Sequence, residues 1–126
     1  MLQDSPVYAY IPAKDLGRAR QFYEGRLGFV PNDELAGGVT YAFAGGTACF
    51  LYETPNGGTS KASQLFWQVA DVEREVAELK ARGVKFEEYE GIPGEKSPSG
   101  VVTDGGAKAA WFKDSEGNTL AVIEMV

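Results

Sequence analysis

The chain consists of two halves that repeat the same order of predicted elements. In each half a strand-like run precedes an aspartate suited to cap a helix, and these two residues, Asp15 and Asp71, lie 56 positions apart. The same offset places Tyr8 against Gln64 and Tyr10 against Phe66. The repeat therefore limits the chain to folds built from two similar modules.

Hydrophobic periodicity gives each half the order βαβββ. In the first half a strand over 7–11 precedes a helix over 16–27, and Gly pairs separate three short strands. In the second half a strand over 64–69 and a helix from 72 to near Gly83 precede strands over 84–89, 107–113 and 119–125. Between them lies a loop over 90–106, rich in Gly and Pro, which is either a functional lid or a hairpin tip. The pattern predicts an α+β fold.

Composition excludes several functions. The 126 residues include no His, so no His-based nucleophile or His-ligated metal is possible. A net charge of −6 without a basic cluster opposes nucleic-acid binding. With one cysteine, Cys49, no signal peptide and no apolar run long enough to cross a bilayer, we expect a cytoplasmic protein that neither binds a membrane nor contains a disulfide.

Three segments resemble one known superfamily. These are IPAKDLGRARQFYEGRLGF at 11–29, VADVEREVAELKARGV at 69–84 and WFKDSEGNTLA at 111–121. They are similar to vicinal oxygen chelate proteins, which include glyoxalase I, extradiol dioxygenases and bleomycin-resistance proteins. The resemblance implies a single domain over 1–126, with module one at about 5–54, a linker at 55–63 and module two at about 64–126. It also implies a partly open eight-stranded barrel with outer helices and an internal ligand cavity.

The resemblance places four metal-ligand positions on this sequence, at Tyr8, Leu51, Gln64 and Ala121. Leu and Ala have no donor atom, and Tyr or Gln alone holds a divalent ion poorly. Of two neighbouring carboxylates, Glu53 could share the cavity face with Leu51, whereas Glu124 would point away from the cavity. We therefore predict neither a bound metal nor another cofactor.

Strand alternation from these positions predicts the residues that line the cavity. Such a lining suits a flat, partly aromatic ligand, although the aromatic residues could instead simply fill the barrel. Cys49 is expected to be a small buried hydrophobe rather than a nucleophile, because no local base lowers its pKa. The predicted ligand-binding set is Tyr8, Tyr10, Cys49, Leu51, Gln64, Phe66, Gln68, Trp111, Lys113 and Ala121.

Three functions are compatible with this sequence. The first is a metal-independent protein that binds or sequesters a small molecule, such as an antibiotic, as the bleomycin-resistance branch does. The second is a lyase, isomerase or epimerase in which Glu53 or a Tyr hydroxyl acts as acid or base. The third is a glyoxalase-like or dioxygenase-like metalloenzyme with unusual ligands. Whether the protein is an enzyme stays open, and the resemblance implies a homodimer.

Overall fold

The computed structural model describes residues 1–125, which form two compact units. The first unit comprises Met1–Ser60 together with the turn Ser115–Asn118. The second comprises Lys61–Asp114 and the final strand from Thr119. The chain passes from the first unit to the second between Ser60 and Lys61, and the turn Ser115–Asn118, which the sequence assigns to module two, belongs to the first unit.

The first unit contains one four-stranded sheet with the order β1-β4-β3-β2. Strand β1 runs parallel to β4, and the other neighbours are antiparallel. The strands are β1 (Tyr8–Ala13), β2 (Asp33–Leu35), β3 (Gly38–Ala42) and β4 (Ala48–Glu53), and short 3-10 helices span Leu2–Asp4 and Ala44–Gly46.

A helical segment packs on one face of the first sheet. Asp15 caps α1 (Leu16–Arg20) as predicted, since its Oδ1 accepts a hydrogen bond from the Arg18 amide at 3.0 Å. The segment continues as a π-helix over Gln21–Arg26 rather than as the regular helix expected from the sequence. Its apolar side meets the sheet in a core that includes Ile11, Ala13, Ala19, Phe22, Tyr23, Val39, Tyr41, Cys49 and Leu51.

The second unit contains a five-stranded sheet with the order β5-β9-β8-β7-β6. Its helix, α2 (Val72–Ala81), is capped by Asp71, which accepts from the Arg74 amide at 3.1 Å. The apolar side of α2 includes the fully buried Val72 and Val76. The strands are β5 (Ser63–Gln68), β6 (Glu95–Lys96), β7 (Val102–Asp104), β8 (Ala107–Lys113) and β9 (Thr119–Met125).

Two predictions about the strands differ from the structure. The eight-stranded barrel is not confirmed, because the strands of residues 1–125 form two separate sheets that are not closed. The expected strand over 84–89 is reduced to a single bridge between Phe86 and Phe112. The glycine-rich loop instead contains the β6–β7 hairpin, which occupies the sheet edge beside β8.

The turn that joins β8 to β9 fixes the start of α1. The Glu116 side chain is fully buried, and its carboxylate accepts hydrogen bonds from the Asp15 amide at 2.9 Å and from Arg18 Nε at 2.7 Å. Asn118 Nδ2 donates to the carbonyl of Pro12 at 2.7 Å. The hydrogen bond from Arg18 is the main reason why the pKa of Glu116 is lowered from 4.5 to about 2.

A glycine makes the close approach of this turn possible. Gly58 adopts a φ of +74°, and a Cβ at this position would lie 1.8 Å from the Glu116 carbonyl oxygen. Any side chain at residue 58 would therefore displace the turn from α1.

Replacing Glu116 by Gln should lower the free energy of unfolding by about 2 kcal/mol at pH 7, because a charged acceptor inside the protein is lost. Since the folded-state pKa is depressed, the carboxylate stabilises the fold fully above about pH 4.5, and this contribution is lost as the pH falls towards 2. Urea unfolding of both proteins from pH 7 to pH 2.5 checks this. A difference between the two proteins that stays constant over that range would contradict it.

Candidate functional site

The sheet of the first unit has one face that its helix does not cover. On β1, Ile11 and Ala13 are fully buried beneath the helix, whereas Tyr8 and Tyr10 are 54% and 66% exposed. Cross-strand pairing continues this face from Tyr10 to Phe50 and then to Thr40 and Asp33. This row of four side chains crosses the sheet from β1 to β2, and we call its surface the first open face.

Aromatic rings cluster on the first open face. The ring centroid of Tyr10 lies 6.0 Å from that of Phe50 and 5.0 Å from that of Tyr52, in edge-to-face geometry. Gly38 leaves space for Phe50, since a Cβ there would lie 2.7 Å from its ring. Beside these rings is a hollow of about 490 Å³, lined by Tyr8, Ala9, Tyr10, Asp33, Leu35, Thr40 and Phe50.

The sheet of the second unit has a corresponding uncovered face. Phe66 on β5 pairs with Ala121 on β9, which pairs with Trp111 on β8, so the three side chains form one row. Phe66 is 50% exposed, and Ala121 forms the floor between the two aromatic residues. The hollow here measures about 540 Å³ and is lined by Ser63, Gln64, Leu65, Phe66, Trp111, Ala121 and Ile123.

The row forms a slot between two rings, which we call the Phe66–Trp111 slot. Its aromatic residues stand two strands apart, which corresponds to roughly 9.5 Å between their backbones. A planar ring that contacts one ring on each side needs about 7 Å, given carbon contacts near 3.5 Å. The backbone spacing of the two aromatic residues therefore matches the width that one flat ring system needs, and the Ala121 methyl between them is 2% exposed in the unliganded chain.

Tyr89 supports one wall of the slot. Its ring meets that of Trp111 edge-on, with 5.8 Å between centroids and 75° between planes. The Glu87 amide donates to the Trp111 carbonyl at 2.7 Å and holds this segment against β8. Tyr89 was not predicted as a site residue, because its contact with Trp111 depends on the 84–89 segment lying beside β8.

Three residues assigned to the cavity lie on the opposite side of the first sheet. Cys49 and Leu51 are fully buried under the helical segment, because β4 pairs Phe50, and not its neighbours, with Tyr10. Glu53 shares that side, where its Oε1 accepts a hydrogen bond from the Leu16 amide at 3.1 Å. The prediction that these three share the face of Tyr8 is wrong, because the assumed alignment of β4 was shifted by one residue.

The remaining predicted residues divide between the two units. Tyr8 and Tyr10 line the hollow of the first unit, whereas Gln64, Phe66, Trp111 and Ala121 line that of the second. By pairing and alternation, Gln68 and Lys113 lie on the same face as Phe66 and Trp111 but outside the hollow. Sequence reasoning missed four residues that line the hollow of the first unit, which are Phe50, Thr40, Asp33 and Leu35. Phe50 and Tyr52 are two positions apart, and this spacing could have indicated that an aromatic face, not Leu51, lies beside Tyr10.

The metal-ligand positions of the superfamily do not fit a metal in this chain. Leu51 lies in the core, and Ala121 has no atom that could bind a metal. The two nearby carboxylates instead accept hydrogen bonds from amides at the starts of the helices. Glu53 accepts from Leu16 on α1, and Glu124 accepts from the Val72 amide on α2 at 2.9 Å. Within residues 1–125 no three His, Cys, Asp or Glu side chains come together in a way that could hold an ion.

Two βαβββ-like units with open aromatic faces define a duplicated α+β protein of the glyoxalase type. A sequence model of the Glyoxalase/Bleomycin resistance protein/Dioxygenase superfamily matches residues 5–122, and the chain belongs to this superfamily. Among curated proteins, none matches the chain. In the described part of the chain, the helices are too short and too polar to cross a membrane.

Solved structures share the fold at low sequence identity. TnmS3, an antibiotic binding protein from Streptomyces sp. CB03234, has a TM-score of 0.74 and 22% identity, covering 100% of this chain and 99% of its own. UcmS2 has a TM-score of 0.74 and 19% identity over 94% and 96% of the two chains. A glyoxalase/bleomycin resistance protein/dioxygenase from Alicyclobacillus acidocaldarius has a TM-score of 0.67 and 18% identity, with coverages of 97% and 92%.

The buried Cys49 should be inert towards thiol reagents in the folded protein. It is fully buried, and burial raises the pKa of its thiol from 9.0 to about 11, so almost no thiolate forms at neutral pH. Titration with Ellman's reagent at pH 7.5 should show less than about a tenth of an equivalent of reactive thiol before unfolding and one equivalent in guanidinium. Rapid reaction in the native protein would contradict the placement of Cys49 in the core.

Proposed function

We propose that this protein is a metal-independent small-molecule binding protein that holds a planar, partly aromatic ligand on its open sheet faces. The observation that carries the proposal is the Phe66–Trp111 slot, in which two rings flank a methyl floor. Stacking between flat rings is favourable and needs no reactive group. An antibiotic is the ligand class that best fits this description, since TnmS3, which shares the fold, is an antibiotic binding protein.

The positions of the acidic groups favour binding over catalysis. The carboxylate expected to act as a base, Glu53, accepts a hydrogen bond from α1 and lies on the side of its sheet away from Tyr8 and Tyr10. A metalloenzyme is not favoured either, because Leu51 lies in the core and neither Phe50 on the first open face nor Ala121 on that of the second unit has a donor atom.

We also propose that the protein is a homodimer. Tyr8, Tyr10 and Phe66 are each at least half exposed in the single chain, and large aromatic surfaces of this kind mark ligand sites or interfaces. Light scattering at micromolar concentration should give twice the mass of one chain. A monomer mass would reject the dimer and leave the ligand proposal unaffected.

Filling the slot should weaken ligand binding. With 2-(1-naphthyl)ethanol as a neutral planar probe, Ala121→Leu should weaken the affinity at least tenfold, because a leucine side chain would occupy the space for the ring. Phe66→Ala removes one wall at a half-exposed position and should weaken binding about two- to tenfold, as expected for a lost aromatic stack. NMR titration that follows the indole N–H of Trp111 measures both effects.

The control variant is Glu53→Gln, which changes a carboxylate on the other side of the first sheet and should leave the affinity within a factor of two. Each variant's thermal transition should be checked, because Phe66→Ala tests the slot even where Ala121→Leu is unstable. Unchanged binding in both slot variants, or a probe that shifts the indole of Trp67 and not that of Trp111, would reject the proposal.

A further inference from the structure

We propose that the hollow on the first open face selects ligands that carry a protonated amine close to an aromatic ring, with Asp33 as the counter-ion. This inference rests on the proposed function and specifies the charge of the ligand. It starts from the row Tyr10–Phe50–Thr40–Asp33, which places one carboxylate at the end of a line of apolar and aromatic side chains.

The position of Asp33 is fixed by its backbone. Its amide donates to Thr40 Oγ1 at 3.0 Å, and the Asn32 amide donates to the Thr40 carbonyl at 2.8 Å. The Thr40 hydroxyl therefore bonds to the backbone of β2, and Asp33 is the charged residue among the described residues that line the hollow.

The arginine that bonds to β2 is held by other carboxylates. Arg20 bonds to Glu24, with 2.7 Å between Nε and Oε2, and also to Glu34. Glu34 follows Asp33 directly, but it pairs with the buried Val39 and so lies on the helix side of the sheet. Within residues 1–125 no side chain donates to the Asp33 carboxylate, and no cation pairs with it.

Aromatic rings complete a site for a cation. Tyr8, Tyr10 and Phe50 line the same hollow, and the faces of aromatic rings attract ammonium groups. Phe50 and Asp33 stand two strands apart, which is roughly 9.5 Å between backbones. A ligand that stacks near Phe50 would therefore bring an amine to Asp33 when one to three bonds separate the amine from its ring system.

Three naphthalene probes that differ only in charge test the inference. They are 2-(1-naphthyl)ethylamine, which is protonated at pH 7, the neutral 2-(1-naphthyl)ethanol and the anionic 1-naphthylacetate. Their affinities for the hollow on the first open face should be measured on the full chain by NMR titration at low salt that follows the backbone amides of Tyr10, Thr40 and Asp33, because the Phe66–Trp111 slot can bind the same probes. We expect the amine to bind about three- to fivefold more tightly than the alcohol, and the carboxylate to bind most weakly, because a partly exposed ion pair contributes modestly.

The variant Asp33→Asn should bring the amine-to-alcohol ratio close to one and leave the affinity for the alcohol within a factor of two. Its matched control is Glu34→Gln, which removes the same charge from the adjacent residue on the other side of the sheet. The control should keep the preference for the amine, because the general negative field of the chain changes equally in both variants.

The possible results separate this inference from the proposed function. If the probes bind without any preference for the amine, or if the preference survives Asp33→Asn, the assignment of Asp33 is wrong and the binding function stands. An equal loss of preference in Glu34→Gln also rejects the assignment, because it would trace selectivity to the overall charge. If none of the three probes binds, the aromatic binding function is rejected together with the inference.

Discussion

The structure of each unit depends on one constraint, which is that a single helical segment covers only one face of a sheet. Residues on alternate positions of every strand therefore meet different surroundings. In the first unit Ile11 and Leu51 are buried beneath the helix, while Tyr10 and Phe50 form the uncovered face. In both units the uncovered face carries aromatic side chains around a hollow, and the proposed binding function follows from that division.

The same division explains why the carboxylates near the expected metal positions are not ligands. Glu53 and Glu124 stand at the ends of corresponding strands, and each accepts a hydrogen bond from the first helical amide of its own unit, at Leu16 and Val72. Exposed amides at a helix start need acceptors. These two glutamates therefore stabilise the helices and contribute no carboxylate to the aromatic faces.

Much of the fold could be predicted because it depends on local signals. The capping aspartates Asp15 and Asp71 were correctly inferred from residue types and spacing, and the superfamily was correctly inferred from the resemblance of three segments. The alignment of β4 was not predicted correctly. A shift of one residue moves every side chain of the strand to the other face of the sheet, and the sequence between β3 and β4 does not fix the pairing. As a result Cys49, Leu51 and Glu53 were assigned to the wrong face, whereas Phe50 and Asp33 were missed.

The sequence by itself determined that imidazole chemistry is impossible and that the chain repeats its helix-capping aspartate at an interval of 56 residues, because residue types and their spacing can be read along the chain. Only the tertiary structure decided which side chains from different strands stand beside one another. Strand pairing placed Asp33 in line with Tyr10, and the segment that follows α2 lies beside β8 and brings Tyr89 against Trp111. Those neighbours depend on pairing between distant segments, which residue spacing along the chain does not specify.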